Sequence, residues 1–227
     1  MQQSDKRIIV GARESRLSQK QVEEVLQEVQ QFDSEVEFLP LFVKTHGDKD
    51  RKTSLRDLDK TDFFTKEIDE KLLAGECRIA IHSAKDLPEP LPEGIELIAL
   101  TRGIDPSDSL VLPPGIRLED LPKGAKIATS SLRREENVRQ MRDDLTFVDI
   151  RGTIEERLAK LMQGEIDGLV VARAALIRLD LTHLNRLTLP GETAPLQGQL
   201  AILARQDDLP MKILFTKISC DLRQCSS

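Results

Sequence analysis

Apolar residues recur along this chain at two alternating spacings, one typical of strands and one typical of helices. The β-branched run at 7–11 predicts a strand. Ser15 follows it as a predicted N-cap, and apolar residues then recur at helical spacing up to Phe32. A strand-like pattern returns at 35–43. This alternation predicts an α/β fold with largely parallel sheets.

The alternation continues to about residue 178. Asp62 is the predicted cap of a second helix, and Gly75 is predicted to end it. Two turn-rich stretches, 105–108 and 190–193, are predicted crossings between two lobes. The further predicted strands are 78–81, 96–100, 126–129, 146–150 and 167–172, and the further predicted helices are 131–141, 153–162 and 173–178.

The predicted organisation is therefore two lobes of mixed, mainly parallel sheet flanked by helices. Lobe 1 comprises residues 1–103 plus 197–227, and lobe 2 comprises residues 104–196. In such folds ligands bind where strands end, so we expect a ligand cleft between the lobes.

Composition narrows the function classes. The 227 residues are 39% hydrophobic and 32% charged, which is typical of a soluble globular protein. The net charge of −6, with no Trp and no Tyr, disfavours a nucleic-acid partner. No long apolar stretch follows the N-terminus, so we expect no secretion signal, no membrane partner and a cytoplasmic location. The odd count of three cysteines is typical of a reducing compartment.

The first candidate site is the sequence HSAKDLP at 82–88. A buried strand runs into Ser83, Lys85 and Asp86 and then meets Pro88. Polar side chains at the carboxyl end of a strand are where α/β folds bind ligands, although a solvated loop has the same composition. His82 is interpreted as a packed residue at the strand end and not as a base.

The second candidate site is TSSLRR at 129–134. Hydroxyls before a helix start, followed by Arg133 and Arg134, are typical of an anion site. Arg151 again follows a predicted strand, whereas Arg139 and Arg142 are interpreted as surface residues. The residues alone thus predict a two-lobed protein that binds a polycarboxylate or phosphate.

Other chemistries have little support in the sequence. It contains no dinucleotide fingerprint and no P-loop. Its three histidines, His46, His82 and His183, lie far apart without ligand spacing, so no metal site is expected.

Several of these segments together resemble the porphobilinogen deaminase (hydroxymethylbilane synthase) family. HSAKDLP and TSSLRR are similar to family motifs, and the likeness runs from about residue 7 to residue 208. Further similar segments are GARESRL at 11–17, FFTKEID at 63–69, DIRG at 149–152 and PLQGQLAI at 195–202.

The resemblance implies a transferase that joins four porphobilinogens into a linear tetrapyrrole with loss of ammonia. Asp86 matches the catalytic aspartate, which stabilises the cationic intermediate and helps to move protons. Phe64 and Gln197 match residues next to the pyrroles, and Gly198 follows in the strand that returns to lobe 1. The residues implied to bind carboxylates of substrate and cofactor are Arg13, Ser15, Ser83, Lys85, Thr129, Ser130, Ser131, Arg133, Arg134, Arg151, Arg157 and Arg178.

The family also implies a covalent dipyrromethane cofactor, held through a cysteine thioether in a third domain. The likeness ends about where that domain begins, so we expect a short form without it. Cys220 or Cys225 is then the expected attachment site, or both are ordinary thiols, and Cys77 is expected to pack inside the fold. Two further departures are DLDKTD at 57–62, where the family is rich in lysine and glycine, and Thr153, where it has asparagine.

Two further interpretations follow from the layout. The two lobes are also similar to type-2 periplasmic-binding-protein domains, and the alternative function is a non-catalytic, two-lobed anion-binding protein of the same fold. The expected partners are porphobilinogen and the growing pyrrole chain, and a monomer is expected.

Overall fold

The computed structural model describes residues 6–50, 53–54, 56 and 61–219. Cys220 and Cys225 lie outside the described residues. The described residues form two compact units, one from 6–49, 61–104 and 199–219 and the other from 50, 53–54, 56 and 105–198. In chain order the elements are β1 (Arg7–Arg13), α1 (Arg16–Gln30), β2 (Glu37–Val43), α2 (His46–Lys49), α3 (Lys66–Leu73), β3 (Ile79–Ser83), β4 (Ile95–Leu100), β5 (Asp108–Val111), β6 (Lys126–Ala128), α4 (Leu132–Arg139), β7 (Thr146–Val148), α5 (Ile154–Met162), β8 (Gly168–Ala172), α6 (Arg173–Arg178), β9 (Arg186–Thr188), β10 (Leu200–Arg205) and α7 (Leu209–Phe215).

The first unit contains a five-stranded sheet in the order β2-β1-β3-β10-β4. β1 runs parallel to β2 and to β3, whereas β10 runs antiparallel to β3 and to β4. The polar ends of β1 and β3 therefore lie at the same edge of the sheet, because parallel neighbours end on the same side.

Helices cover both faces of this sheet. Val22, Val25 and Val29 of α1 pack against one face together with Phe215 of α7. Helix α3 packs on the other face, where Ile68 and Leu72 meet Ala80 and Leu203. Residues that alternate along β3 thus point in turn toward α1 and toward α3, as the two-residue period of a strand requires.

The helix starts of the first unit show where local sequence signals were sufficient. Ser15 caps α1 and accepts a hydrogen bond from the Ser18 amide at 3.2 Å, as predicted. The prediction that Asp62 caps α3 is wrong, since the helix begins at Lys66 after Thr65. Residues 62–65 instead form a bend and a turn, which bring the Phe64 ring against Arg13 of β1 before the helix starts. Gly75 ends the helix with a φ of +74°, a conformation that glycine adopts without strain.

Cys77 is packed in the first unit, as expected. Its side chain is 1% exposed and belongs to the cluster that α3 covers. Gly11 leaves room for it, because a Cβ at that position would lie 2.8 Å from the Cys77 sulfur. Burial raises the pKa of the Cys77 thiol to about 11, so this thiol is protonated and inert at neutral pH.

The second unit repeats the same arrangement with a sheet in the order β7-β6-β8-β5-β9. β6 runs parallel to β7 and to β8, and β5 runs antiparallel to β8 and to β9. α4 packs on one face through Val138, and α5 packs on the other through Leu158 and Leu161.

Both sheets are mixed, which agrees with the expected fold class. Each described sheet has two parallel and two antiparallel pairings, a larger antiparallel share than the alternation indicated. The antiparallel strands β5 and β10 follow two of the points where the chain passes between units, at 104–105 and 198–199. β5, β9 and α7 had no predicted counterpart in the sequence pattern.

No helix within the described ranges combines the length and the apolar character that crossing a bilayer requires.

Candidate active site

Asp86 lies just beyond the carboxyl end of β3, in the middle of the first sheet. Residues 84–86 form a single 3-10 turn, and Asp86 is half-buried. The Ala84 amide donates to the Gln199 carbonyl oxygen at 3.0 Å, which ties the start of this turn to the segment before β10. Lys85 shares the turn and is also half-buried. This turn thus holds a carboxylate near the surface, directly after the central strand of the sheet.

Ser83 precedes this turn and is fixed by α1. Its Oγ accepts a hydrogen bond from Gln21 Nε2 at 2.9 Å, and Gln21 is 5% exposed. The strand-end serine identified from the sequence is therefore held in place by a buried amide. Sequence reasoning missed Gln21, since a glutamine on the inner face of a helix gives no signal of its own.

Arg13 lies at the end of β1, at the same edge of the sheet. Its guanidinium forms an ion pair with Asp48, and its Nε donates to Asp48 Oδ2 at 3.4 Å. The guanidinium carbon also lies 4.5 Å from the centre of the Phe64 ring, a cation–π contact. Two predicted site residues, Arg13 and Phe64, are thus in direct contact.

Asp48 is a site residue that the sequence analysis missed. Its Oδ2 accepts hydrogen bonds from Thr45, at 3.1 Å from the amide nitrogen and at 2.9 Å from Oγ1. Burial alone would raise the pKa of Asp48, but the hydrogen bonds and charge of Arg13 together with the Thr45 hydrogen bonds lower it below its usual value. Asp48 therefore remains ionised and keeps Arg13 in place. The Thr-x-x-Asp spacing at 45–48, typical of a helix start, was the available signal.

Gly47 is required by the close approach of Phe64. A Cβ at this position would lie 2.4 Å from both Cδ1 and Cε1 of that ring. Phe63 supports the same corner, with its ring edge-on to Phe64 at a centroid distance of 5.1 Å. The rings of Phe63 and Phe64 therefore pack closely against α2.

Three hydroxyl residues follow β6 in the second unit. Ser131 caps α4 and accepts from the Arg134 amide at 3.5 Å, and Thr129 Oγ1 accepts from the Ser131 amide at 3.2 Å. Ser130 Oγ hydrogen-bonds Asp149 and donates to the Ile150 carbonyl oxygen at 2.6 Å. This arrangement presents the start of α4, with its positive dipole end, at the carboxyl end of a buried strand.

Arg133 and Arg134 share one buried carboxylate. Arg133 donates to Asp108 Oδ2 at 2.8 Å, and Arg134 donates to Asp108 Oδ1 at 2.6 Å. Asp108 is 1% exposed, and Gln197 Nε2 donates to its Oδ1 at 2.9 Å. Burial would raise the pKa of Asp108, but the charges and hydrogen bonds of the two arginines lower it below its usual value. Two cations therefore face one anion, and the cluster keeps a net charge of about +1.

The other three predicted arginines of the second unit donate to backbone oxygens. Arg151 Nη2 lies 2.7 Å from the Asp50 oxygen, and Arg157 Nε lies 2.9 Å from the Gly152 oxygen. Arg178 is 9% exposed, and its Nη2 donates to the Gly198 oxygen at 2.8 Å. These hydrogen bonds to backbone oxygens fix the direction of each guanidinium.

Arg56 is a further cation of the second unit that sequence reasoning missed. It donates to the Thr129 carbonyl oxygen at 3.2 Å and lies 3.2 Å from a carboxylate oxygen of Glu135. Burial would raise the pKa of Asp149, but hydrogen bonds from Ser130, Ser54 and Ile150, together with the charge of Arg56, lower it below its usual value. Arg56 lies in a loop that is remote in sequence from residues 129–134, so the sequence pattern gave no signal for it.

Metal chemistry has no support in the described residues. Within residues 6–50, 53–54, 56 and 61–219, no three His, Cys, Asp or Glu side chains converge as metal ligands would.

Most of the chain matches a known protein family. The model described as "Porphobilinogen deaminase, dipyromethane cofactor binding domain" matches residues 8–212. The chain belongs to the porphobilinogen deaminase family. It is a transferase of tetrapyrrole biosynthesis, and the matched domain is the one named for the dipyrromethane cofactor. The family, the enzyme class and the cofactor expected from the resemblance are confirmed, and the non-catalytic alternative is not favoured.

Individual relatives support the same assignment. The porphobilinogen deaminase of Caldicellulosiruptor saccharolyticus is 41% identical over 94% of this chain and 74% of its own length. The enzyme of Thermus thermophilus is 40% identical over 92% of this chain and 69% of its own length. The enzyme of Streptococcus sanguinis is 39% identical, with 88% of this chain and 68% of the relative covered.

Solved structures show the fold at much lower identity. The methionine binding protein MetQ has a TM-score of 0.59 at 13% identity, over 96% of this chain and 91% of that one. A periplasmic substrate-binding protein of an ABC transporter from Coxiella burnetii has a TM-score of 0.57 at 16% identity, over 93% and 91%. These neighbours confirm the expected likeness to type-2 periplasmic-binding-protein domains.

Proposed function

We propose that this protein joins porphobilinogen units head to tail, that it releases one ammonia per unit, and that Asp86 is the catalytic carboxylate. The observation that carries the proposal is the position of Asp86, half-buried at the carboxyl end of the central strand β3. A carboxylate there accepts hydrogen bonds from pyrrole N–H groups and stabilises the cation that remains when ammonia leaves. It also holds and returns protons during deamination and coupling.

In the first unit, the acidic side chains of the pyrroles are proposed to bind to Arg13, Ser15, Ser83 and Lys85. The Asp48 ion pair and the Phe64 ring fix the direction of the Arg13 guanidinium. A guanidinium held in this way loses little conformational entropy when it binds a carboxylate. Phe64 is proposed to contact the pyrroles through its remaining surface.

The second unit is proposed to supply further carboxylate-binding groups. Each pyrrole unit brings two carboxylates, so a growing chain needs several cations in a protein of net charge −6. The net positive charge of the Asp108 cluster supports this role for Arg133 and Arg134. The proposed group also includes Thr129, Ser130, Ser131, Arg151, Arg157 and Arg178, with Gln197 as a pyrrole contact.

The donor set fits the dipyrromethane cofactor, whose side chains are carboxylates. Hydroxyls and guanidiniums at the carboxyl end of β6 are the groups that bind such side chains, and Asp86 is suited to its pyrrole N–H groups. When bound, the cofactor supplies the two-pyrrole primer to which substrate is added. The residues of this chain bind and orient it.

The covalent anchor stays a prediction. Cys77 does not suit this role, because it is 1% exposed, its thiol pKa is raised to about 11, and it precedes β3 whereas Asp86 follows it. Cys220 or Cys225 is the proposed attachment site. Intact mass would detect a two-pyrrole adduct, and its survival in a Cys220→Ser, Cys225→Ser double variant would exclude both.

The test of function uses the purified full chain with porphobilinogen. We expect release of ammonia and, after acid oxidation, porphyrin absorbance. Asp86→Asn is expected to lower turnover by at least about a hundredfold, the scale of general acid–base catalysis. Glu93→Gln, an exposed carboxylate in the loop after Asp86, is the matched control and is expected to keep the wild-type rate.

Two outcomes would contradict the proposal. A wild-type protein that carries its cofactor and releases no ammonia would refute the activity. An Asp86→Asn variant with near-wild-type turnover would refute the role of Asp86.

We also propose that the protein acts in the cytoplasm as a monomer on porphobilinogen and the growing pyrrole chain. The odd number of cysteines, typical of a reducing compartment, supports the location. Light scattering during gel filtration tests the second point, with the mass of one chain expected and that of two chains contradicting it.

A further inference from the structure

A pair of ionisable side chains is buried in the first unit, next to the end of β3 that leads into the turn with Asp86. Asp69 of α3 is 3% exposed and His82 of β3 is 5% exposed. His82 Nε2 lies 3.7 Å from Asp69 Oδ1. In the part of the chain that the structure describes, neither Asp69 oxygen has a hydrogen-bond partner, and neither has His82 Nε2. Buried polar atoms without partners are costly, so this pair requires an explanation.

The pair follows from the alternation of β3. Ala80 and Ala84 of this segment belong to the cluster that α3 covers, so His82, which is in phase with them, points toward α3. Ser83 is out of phase and is held by Gln21 of α1. The last two residues of β3 are therefore approached by one polar side chain from each face of the sheet, directly before the turn that carries Asp86.

The surroundings of the pair disfavour charge on either member. Burial raises the pKa of Asp69 to about 6 against the lowering effect of the nearby Thr65 hydroxyl, and the negative charge of Asp62 adds to the rise. Burial and the positive charge of Arg13, on the neighbouring strand β1, lower the pKa of His82 to about 4. The order of the two pKa values is thus reversed relative to free side chains, in which the imidazole binds its proton more tightly.

We propose that Asp69 and His82 hold a single proton between them and act as a positioning pair that fixes the end of β3, and with it Ser83 and Asp86. When that proton is present, the neutral carboxyl of Asp69 donates toward the neutral imidazole at Nε2. The present separation closes to a hydrogen bond with a small side-chain movement. Neither residue touches substrate in this proposal, which rests on the proposed function only for its effect on turnover.

Histidine nitrogen chemical shifts in the full-length wild-type protein test the pair without any assay of activity. With three histidines in the sequence, the His82 signal is assigned by its absence from His82→Gln. We expect the imidazole to stay neutral down to about pH 5 and its Nε2 shift to change once near pH 6, as Asp69 gains its proton. That step should vanish in Asp69→Asn and persist in Glu70→Gln, an exposed carboxylate on the same helix.

Turnover supplies the second measurement. A catalytic carboxylate displaced by a fraction of an ångström is expected to lower kcat about tenfold, while KM changes less than about twofold. Asp69→Asn should show this split and should also lose any dependence of kcat on pH near 6. Asp69→Glu, which keeps a carboxyl, should recover part of the rate and the pH dependence. A merely structural role for Asp69 would lower stability without changing the pH dependence.

The outcomes separate this inference from the proposed function. A His82 that titrates like a free imidazole in the wild type, or a step that persists in Asp69→Asn, overturns the pair whatever the activity. A wild type that consumes no porphobilinogen overturns the proposed function while the chemical shifts still decide the pair. If Asp69→Asn does not fold, the wild-type titration and Asp69→Glu decide it.

Discussion

The guanidinium of Arg13 rests on the ring of Phe64, with 4.5 Å between its central carbon and the ring centre. A strand end and a turn separated by about fifty residues thereby form one binding corner. The contact leaves no space for a side chain at position 47, since Phe64 fills it. A guanidinium held by an aromatic face keeps its charge and loses mobility, which suits recognition of carboxylates.

Gly47→Ala should displace Phe64 and disturb this corner. The new Cβ would lie 2.4 Å from the ring, so the ring must move and the cation–π contact weakens. Overpacking of this kind costs about 1–3 kcal/mol, which urea unfolding would measure. In a Phe64→Leu background the same substitution should cost less, because the smaller side chain leaves room. An equal cost in both backgrounds would contradict the steric explanation.

Asp48→Asn should weaken substrate binding more than it weakens the fold. The substitution removes the charge that orients Arg13, and both side chains are partly exposed. We expect kcat/KM for porphobilinogen to fall by about tenfold, mainly through KM. Glu37→Gln, which breaks the exposed Arg7–Glu37 pair in the same sheet, is the control and should change neither value. An unchanged KM in Asp48→Asn would show that the orientation of Arg13 does not matter.

Asp108→Asn should destabilise the protein strongly. Asp108 is 1% exposed and accepts from two guanidiniums, so its neutralisation leaves two cations without a counterion. Breaking a buried pair of this kind costs about 3–5 kcal/mol in unfolding free energy. Asp120→Asn is the matched control, because Asp120 also binds an arginine through two oxygens but at an exposed site. Equal losses in the two variants would mean that burial does not decide the cost.

The buried pair predicts opposite pH dependences of stability in two variants. Asp69 binds its proton more tightly in the folded state, so it makes stability fall as the pH rises from about 4 to about 6. His82 binds its proton less tightly in the folded state, so it makes stability rise over about pH 4 to 6.5. In the wild type these two slopes largely cancel.

Urea unfolding at several pH values would separate the two contributions. Relative to wild type, the stability of Asp69→Asn should rise by about 2 kcal/mol between pH 4 and 6, and that of His82→Gln should fall by a similar amount. Subtracting the wild-type unfolding free energy from that of each variant at the same pH removes the contributions of other titrating groups. Parallel curves for wild type and both variants would contradict the prediction.

Much of the first unit was accessible from sequence alone. The β-branched run before Ser15 predicts β1, the Ser15 cap sets the start of α1, and Gly75 sets the end of α3. These features depend on residues within a few positions of one another. The start of α3 was missed because Phe64 packs against Gly47 and Arg13, and those contacts outweigh the local preference of Asp62 for a cap.

The residues of the candidate site also fall into two groups, those that the local sequence predicts and those that depend on contacts remote along the chain. Asp86 and the hydroxyls at 129–131 follow strands in the sequence and are found from the pattern. Asp48, Asp108 and Arg56 were missed because their partners are remote along the chain, and Asp108 lies in what reads as a turn. Nothing in the spacing of TSSLRR indicates that its two arginines share one carboxylate.

The sequence by itself determined the alternation of strands and helices, the strand-end polar clusters and, through their likeness to known motifs, the family. These depend on local periodicity and on short contiguous segments. Only the tertiary structure decided which arginine is paired with which carboxylate, that β5 and β10 run antiparallel to their neighbours, and that Asp69 and His82 meet inside the first unit. Burial and partner charge set the protonation and orientation of a side chain, and both come from residues that are distant along the chain.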